Sequence, residues 1–194
     1  AWEAIGTIPL DPGQKLEVGG KWADLLPSIP EGENYLWHTD RKGGLPLFGW
    51  RTRYWSFLLK LSKRLPSWTI QAQPGSAIGP FHWTNRKLSW QEMAAIQTFP
   101  KHFVIDAPRT EIQRQIGNAV PSLMAEILAR EIRSQVFGQE TKGEPTLRIP
   151  RCTEIPEPEL IQPVPEKYLL LKGEHEPHPG TGKGRSYRAG QSIL

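Results

Sequence analysis

Gln113 to Ile132 reads QRQIGNAVPSLMAEILAREI, the stretch on which the fold turns. Gly117 and Asn118 form a pair suited to a tight turn with positive φ. Pro121 fits the first turn of a helix, where its missing N–H costs nothing. Leu123, Met124, Ile127, Leu128 and Ile132 then recur at three- and four-residue spacing. That period predicts a helix over Pro121 to Phe137 with one apolar stripe, ended by Gly138.

Upstream, Arg86 to Pro100 reads RKLSWQEMAAIQTFP. Ser89 and Glu92 stand at the spacing of a capping box and predict a helix over Ser89 to Thr98, closed by Phe99-Pro100. Further back, WTIQAQ from Trp68 to Gln73 alternates, with Trp68, Ile70 and Ala72 on one side and Thr69, Gln71 and Gln73 on the other. This predicts a strand entering the Pro74-Gly75 turn and the loop that follows to Pro80. Arg51 to Leu61, RTRYWSFLLKL, begins with strand-like aromatics and continues with helix-like spacing, so periodicity leaves it open.

The 194 residues give room for one domain with a real core, and 38% hydrophobic content is ordinary for a soluble chain. No apolar run is long enough to span a membrane, and Ala1 to Gly20 lacks the basic start and apolar centre of a secretory signal, which points to the cytoplasm. The one cysteine, Cys152, excludes an internal disulfide framework and a cysteine-based zinc site. His175 and His178 are too few for a metal site, and GTGKG at Gly180 to Gly184 lacks the strand, helix and spacing of a phosphate loop.

The net charge of +4 is unevenly spread. Arg41 to Gln91 holds nine basic residues and no Asp or Glu, with Trp50, Tyr54, Trp55, Trp68, Trp83 and Trp90 among them. A one-signed, aromatic-rich segment suits contact with phosphates, against the plainer alternative of a Trp-rich core ringed by solvated cations.

The two blocks, in this order and spacing, resemble the last two signature blocks of the DNA (cytosine-5) methyltransferases, and the resemblance covers roughly Ala1 to Gly138. It implies an α+β chain: a small strand-containing target recognition domain, with a C-terminal helix that returns to a doubly wound α/β catalytic domain not in this sequence. The organisation expected on this basis is a lead-in over residues 1–30, the recognition region and its organising block over 31–100, the cofactor-side turn and returning helix over 101–138, and a loosely ordered Pro- and Gly-rich tail over 139–194.

The resemblance implies Gly117, Asn118, Ala119 and Val120 as residues beside S-adenosylmethionine. It also implies two base-reading loops around WTIQAQ, one upstream and one over about Gln73 to Gly79. Arg51, Arg53, Gln71 and Gln73 are the candidates for base edges, since Arg forks onto guanine and Gln onto adenine. Lys60, Lys63, Arg64, Arg86 and Lys87 are assigned to phosphates first, where half or more of protein–DNA hydrogen bonds go.

The family attacks cytosine with the thiolate of a Pro-Cys pair, assisted by a Glu in a Glu-Asn-Val phrase, after flipping the base out of the duplex. Neither phrase occurs here, nor does a glycine-rich cofactor loop, and Cys152 follows Arg151 in the tail. The expectation is therefore a double-stranded DNA-recognition and cofactor-side segment with no catalytic residue of its own, needing a partner half that carries Pro-Cys. The alternative is a stand-alone, non-catalytic DNA-binding module or methyltransferase remnant.

Overall fold

The computed structural model describes residues 1–49, 54–152 and 154–173. Among the described residues, four α-helices carry the regular structure: α1 (Trp2–Ile5), α2 (Trp90–Ile96), α3 (Arg109–Asn118) and α4 (Ser122–Gln135). Short 3-10 turns add Ala23–Ser28, Tyr35–His38 and Glu166–Leu171. The α+β expectation is not met: among the described residues there is no strand, only isolated bridges between Phe57 and Ile78 and between Lys60 and Phe81.

WTIQAQ shows why. Ile70 is buried, but Trp68 on the same nominal face is 49% exposed. No neighbouring strand supplies a ladder; instead the Gln71 carbonyl accepts a hydrogen bond from the Gln113 side chain at 3.3 Å. Alternation gives a strand only where another backbone completes its hydrogen bonds.

The capping box is present as read. Ser89 Oγ accepts from the Glu92 N–H at 3.1 Å, and the Glu92 carboxylate accepts from the Ser89 N–H at 2.7 Å. The helix ends as Thr98 turns to a positive φ of 55°, with Phe99 N–H reaching back to the Ala94 carbonyl. Pro121 caps α4, and Gly138, at φ 62°, follows its last turn.

Gly117 and Asn118 are the last residues of α3, not a positive-φ turn. Gly117 is needed for another reason. A Cβ there would lie 2.5 Å from the Ala72 amide nitrogen and 2.6 Å from its Cα, so the absence of a side chain lets α3 lie directly on the Gln71–Ala72 backbone.

Two apolar clusters form the core. One joins Ile5, Leu61, Ile70, Trp83, Leu88 and Met93 to Ile112 and Ile116 of α3. The other gathers Leu25, Leu26, Ile29, Tyr35, Leu36, Leu47, Leu58 and Phe81 around Tyr168 of the tail. The Tyr168 ring stacks on Trp22 at 5.7 Å and its hydroxyl donates to the Lys21 carbonyl at 2.7 Å. The bridged segments Phe57–Leu61 and Ile78–Trp83 contribute to both clusters and hold them together. Tail residues 154–173 thus lie on the body.

Candidate DNA-recognition and cofactor-side site

The cations of the basic segment have different fates. Lys60 is 3% exposed, and its ammonium donates to the Ile29 carbonyl. Burial lowers its pKa to about 8, against the pull of the Glu31 and Glu159 charges. The Lys63 ammonium is also buried, 3.0 Å from Glu31 and 2.8 Å from Glu159, and it donates to the Glu157 carbonyl at 2.7 Å. Burial opposes its charge, but those two carboxylates prevail and raise its pKa. Arg64 reaches the Glu157 carboxylate at 2.8 Å.

Arg86 is equally committed. Its guanidinium forks onto Glu92 at 2.7 and 2.8 Å and donates to the Lys87 carbonyl at 3.0 Å. Burial works against the Glu92 charge, yet the Arg86 fork and the Ser89 N–H hold its pKa below the usual carboxylate range. His82, buried beside it with Nε2 3.6 Å from Glu92, has its pKa lowered to about 4, by burial first and then by the Arg86 charge. Arg86 therefore organises the start of α2, and Lys60 and Lys63 are held inside the fold; none of the three presents a free cation to a phosphate.

Lys87 is different, being half-buried with no ion pair at its ammonium among the described residues. Gln71 is anchored, donating to Ser56 Oγ at 2.7 Å, whereas Gln73 is exposed at the start of the 74–79 loop. Gly79 Cα is packed so tightly that a Cβ would meet the Leu59 carbonyl oxygen at 2.2 Å, which ties the far end of that loop to the Phe57–Leu61 segment. Arg51 and Arg53 lie outside the described residues, as do His175, His178 and Gly180 to Gly184.

At the other end of α3, Asn118 is exposed and Val120 is 61% exposed, with Ala119 between them. The chain continues into α4, which has no buried residue. Met124, Ile127, Leu128 and Ile132 are each between 43% and 56% exposed. The polar side of α4 is occupied instead: the Glu126 carboxylate accepts from the Thr146 and Leu147 N–H groups, and Arg130 donates to the Gly143 and Glu144 carbonyls. The helix is thus anchored through its polar face, with its apolar stripe in water.

Cys152 is exposed, its amide donating to Glu3 and its Sγ to the Glu154 carbonyl at 3.2 Å. Neither partner is a histidine or other base able to activate a thiol. Among the described residues no cluster of His, Cys, Asp and Glu is suited to hold a metal ion, and no helix is long and apolar enough to cross a membrane.

The Arg86–Glu92 fork, the capping box it braces, and Gly117 pressed on Ala72 all fall within one continuous segment with a known counterpart. Residues 46–134 match the C-5 cytosine-specific DNA methylase family. The chain is 43% identical to the type II methyltransferase M.SacI of Streptomyces achromogenes over 151 residues, 73% of this chain and 39% of that protein. It is 33% identical to the type II methyltransferase M.NgoFVII of Neisseria gonorrhoeae over 137 residues, 68% of this chain and 35% of that protein. A shorter match, 36% over 69 residues, links it to the DNA (cytosine-5-)-methyltransferase M.ApeKI of Aeropyrum pernix, covering 34% of this chain and 15% of the relative. The chain spans about two fifths of the length of the first of these methylases. No solved structure matches it significantly.

Sequence reasoning missed the carboxylates that pair with the basic segment. Glu31, Glu33 and Glu92 stand just outside the window from Arg41 to Gln91, and Glu157 and Glu159 arrive from the tail. The acidic residues bracketing that window were the available signal.

Proposed function

We propose that this chain is the DNA-recognition and cofactor-side part of a DNA (cytosine-5) methyltransferase of the restriction-modification type, acting with a separate catalytic part that carries Pro-Cys. The observation that carries the reading is the exposure of Asn118, Val120 and the apolar stripe of α4, set on a body that packs without them. Four apolar side chains held half in water by a helix whose polar face is already engaged fit a surface that a second folded unit covers. The missing Pro-Cys, Glu-Asn-Val and glycine-rich phrases describe what that unit supplies.

In this arrangement Asn118 offers a carboxamide that both donates and accepts, which suits the charged amino-acid end of S-adenosylmethionine, and Val120 offers an apolar edge. When bound, the cofactor supplies the methyl group. Gly117 contributes by position: it lets α3 lie on the backbone that leads to Gln73 and the 74–79 loop, so one rigid contact joins the cofactor-side residues to the recognition loop. Gln73, with Arg51 and Arg53, is assigned to base edges, and Lys87 to the duplex backbone.

The test is Asn118→Ala in the two-part enzyme. Methyl transfer falls while duplex binding by this chain stays near the wild-type level. Unchanged transfer would remove Asn118 from the cofactor edge, and lost duplex binding would place it on the recognition side.

A further inference from the structure

We infer that Lys87 and Arg109 form a phosphodiester-binding cleft for the DNA backbone, next to the base-reading loop; the inference rests on the recognition role just proposed. The cleft has a volume of about 260 Å³ and lies between the 74–81 loop and the first turn of α3. Lys87 and Arg109 both line it, with Ser76, Thr110 and Gln113 as neutral hydrogen-bonding groups, and no Asp or Glu is among its lining residues.

Among the half-buried cations of the described residues, these two alone lack a carboxylate at ion-pair distance. Lys63, Arg64, Arg86, Arg114, Arg130 and Arg148 each have a carboxylate within ion-pair distance. Lys87 and Arg109 have none among the described residues. Arg109 is half-buried, donating to the Leu88 carbonyl at 2.6 Å and weakly to Gln14 Oε1 at 3.4 Å, which leaves further N–H donors unused. The nearby Glu92 charge is already held by the Arg86 fork. A half-buried guanidinium without an anion is unfavourable, and an anion entering the cleft relieves it.

The position of Lys87 is fixed from both sides. Its N–H donates to the Leu16 carbonyl at 2.7 Å and its carbonyl accepts from Arg86. A tetrahedral phosphodiester matches what the cleft offers: one planar donor fork, one mobile ammonium, and hydroxyl and amide donors around them. Placing a phosphate here sets the register of the duplex against Gln73 and the 74–79 loop without reading sequence.

The experiment measures binding of the full chain to duplexes across a salt series, for wild type, Lys87→Gln, Arg109→Gln and the double variant. Each single change lowers the slope of log affinity against log salt by about 0.9, and the double change by about twice that, without altering the order of preference among duplexes. Because Arg109 also holds the Leu88 carbonyl, circular dichroism and a denaturation midpoint accompany each variant; Lys87→Gln has no such structural partner and carries the test if Arg109→Gln unfolds. A wild-type slope in a folded Lys87→Gln, or a changed base preference in either variant, overturns the cleft while leaving the recognition role intact. A wild-type chain that binds no duplex overturns both.

Discussion

Gly117 and Ala72 touch backbone to backbone, with room for no side chain between them: a Cβ on the glycine would come within 2.5 Å of the Ala72 nitrogen. The contact fixes α3 to the segment that leads into the 74–79 loop. It gives the Gly-Asn signature a packing role distinct from turn formation.

The sign of Gly117→Ala follows. In a helix free of tertiary contact the change stabilises by about 1 kcal/mol, since glycine disfavours helix by that much. Here the methyl group strikes backbone that cannot swing away, and overpacking of this kind costs typically 1–3 kcal/mol. A net loss of up to about 2 kcal/mol in chemical denaturation is expected. A gain in stability would show that the contact is loose.

The cluster of His82, Arg86 and Glu92 makes the fold acid-sensitive in two steps. His82 has a folded pKa of about 4 against an ordinary 6.5, so as pH falls from about 6.5 to 4 the unfolded chain takes up a proton that the folded chain refuses, and stability declines. The depressed Glu92 pKa stabilises the fold above the ordinary carboxylate value and withdraws that support as pH falls further, through the folded pKa. His82→Asn is expected to remove the first decline and keep the second in urea denaturation measured from pH 7 down to about 2. An unchanged profile between pH 6.5 and 4 would assign the loss to other groups.

Arg86→Leu leaves a carboxylate that is 1% exposed without its counter-ion. The expected cost near neutral pH is roughly 3–5 kcal/mol, shrinking as pH falls because a protonated Glu92 no longer requires the guanidinium. Denaturation midpoints at pH 7 and pH 4 check this. A small effect at pH 7, with weaker duplex binding instead, would return Arg86 to the phosphate-contacting set.

The legibility of this chain in its sequence follows from how local each signal is. The capping box and the α4 stripe depend on residues three and four apart, and both stand where they were read. Helix α3 was missed because its buried apolar residues are only Ile112 and Ile116, and the Gly-Asn pair at its end mimics a turn. The strand over Trp68 to Gln73 failed because alternation says nothing about a ladder partner. The surroundings of Lys60 and Lys63 were illegible for the same reason: the Glu31 and Glu159 carboxylates that act on both are tens of residues away in sequence.

The apolar stripe of α4 sets the solution behaviour of the isolated chain. Met124, Ile127, Leu128 and Ile132 are about half exposed, and full burial of such side chains is worth roughly 1.5–3 kcal/mol each. Sedimentation of the chain alone is expected to show self-association that a catalytic half or the pair Leu128→Gln and Ile132→Gln relieves. The glutamine pair leaves the denaturation midpoint nearly unchanged, since the body does not pack on these residues. A rigid monomer with full amide protection over residues 121–137 would contradict the exposed stripe.

On the proposed function, the chemistry is supplied by residues outside this sequence. Transfer of labelled methyl groups from S-adenosylmethionine to duplex DNA tests it most directly, with this chain alone, with a catalytic half carrying Pro-Cys, and with Cys152→Ser in both settings. The expected result is no transfer by the chain alone, transfer by the pair, and no effect of Cys152→Ser. Transfer by this chain alone, or its loss on Cys152→Ser, would contradict it.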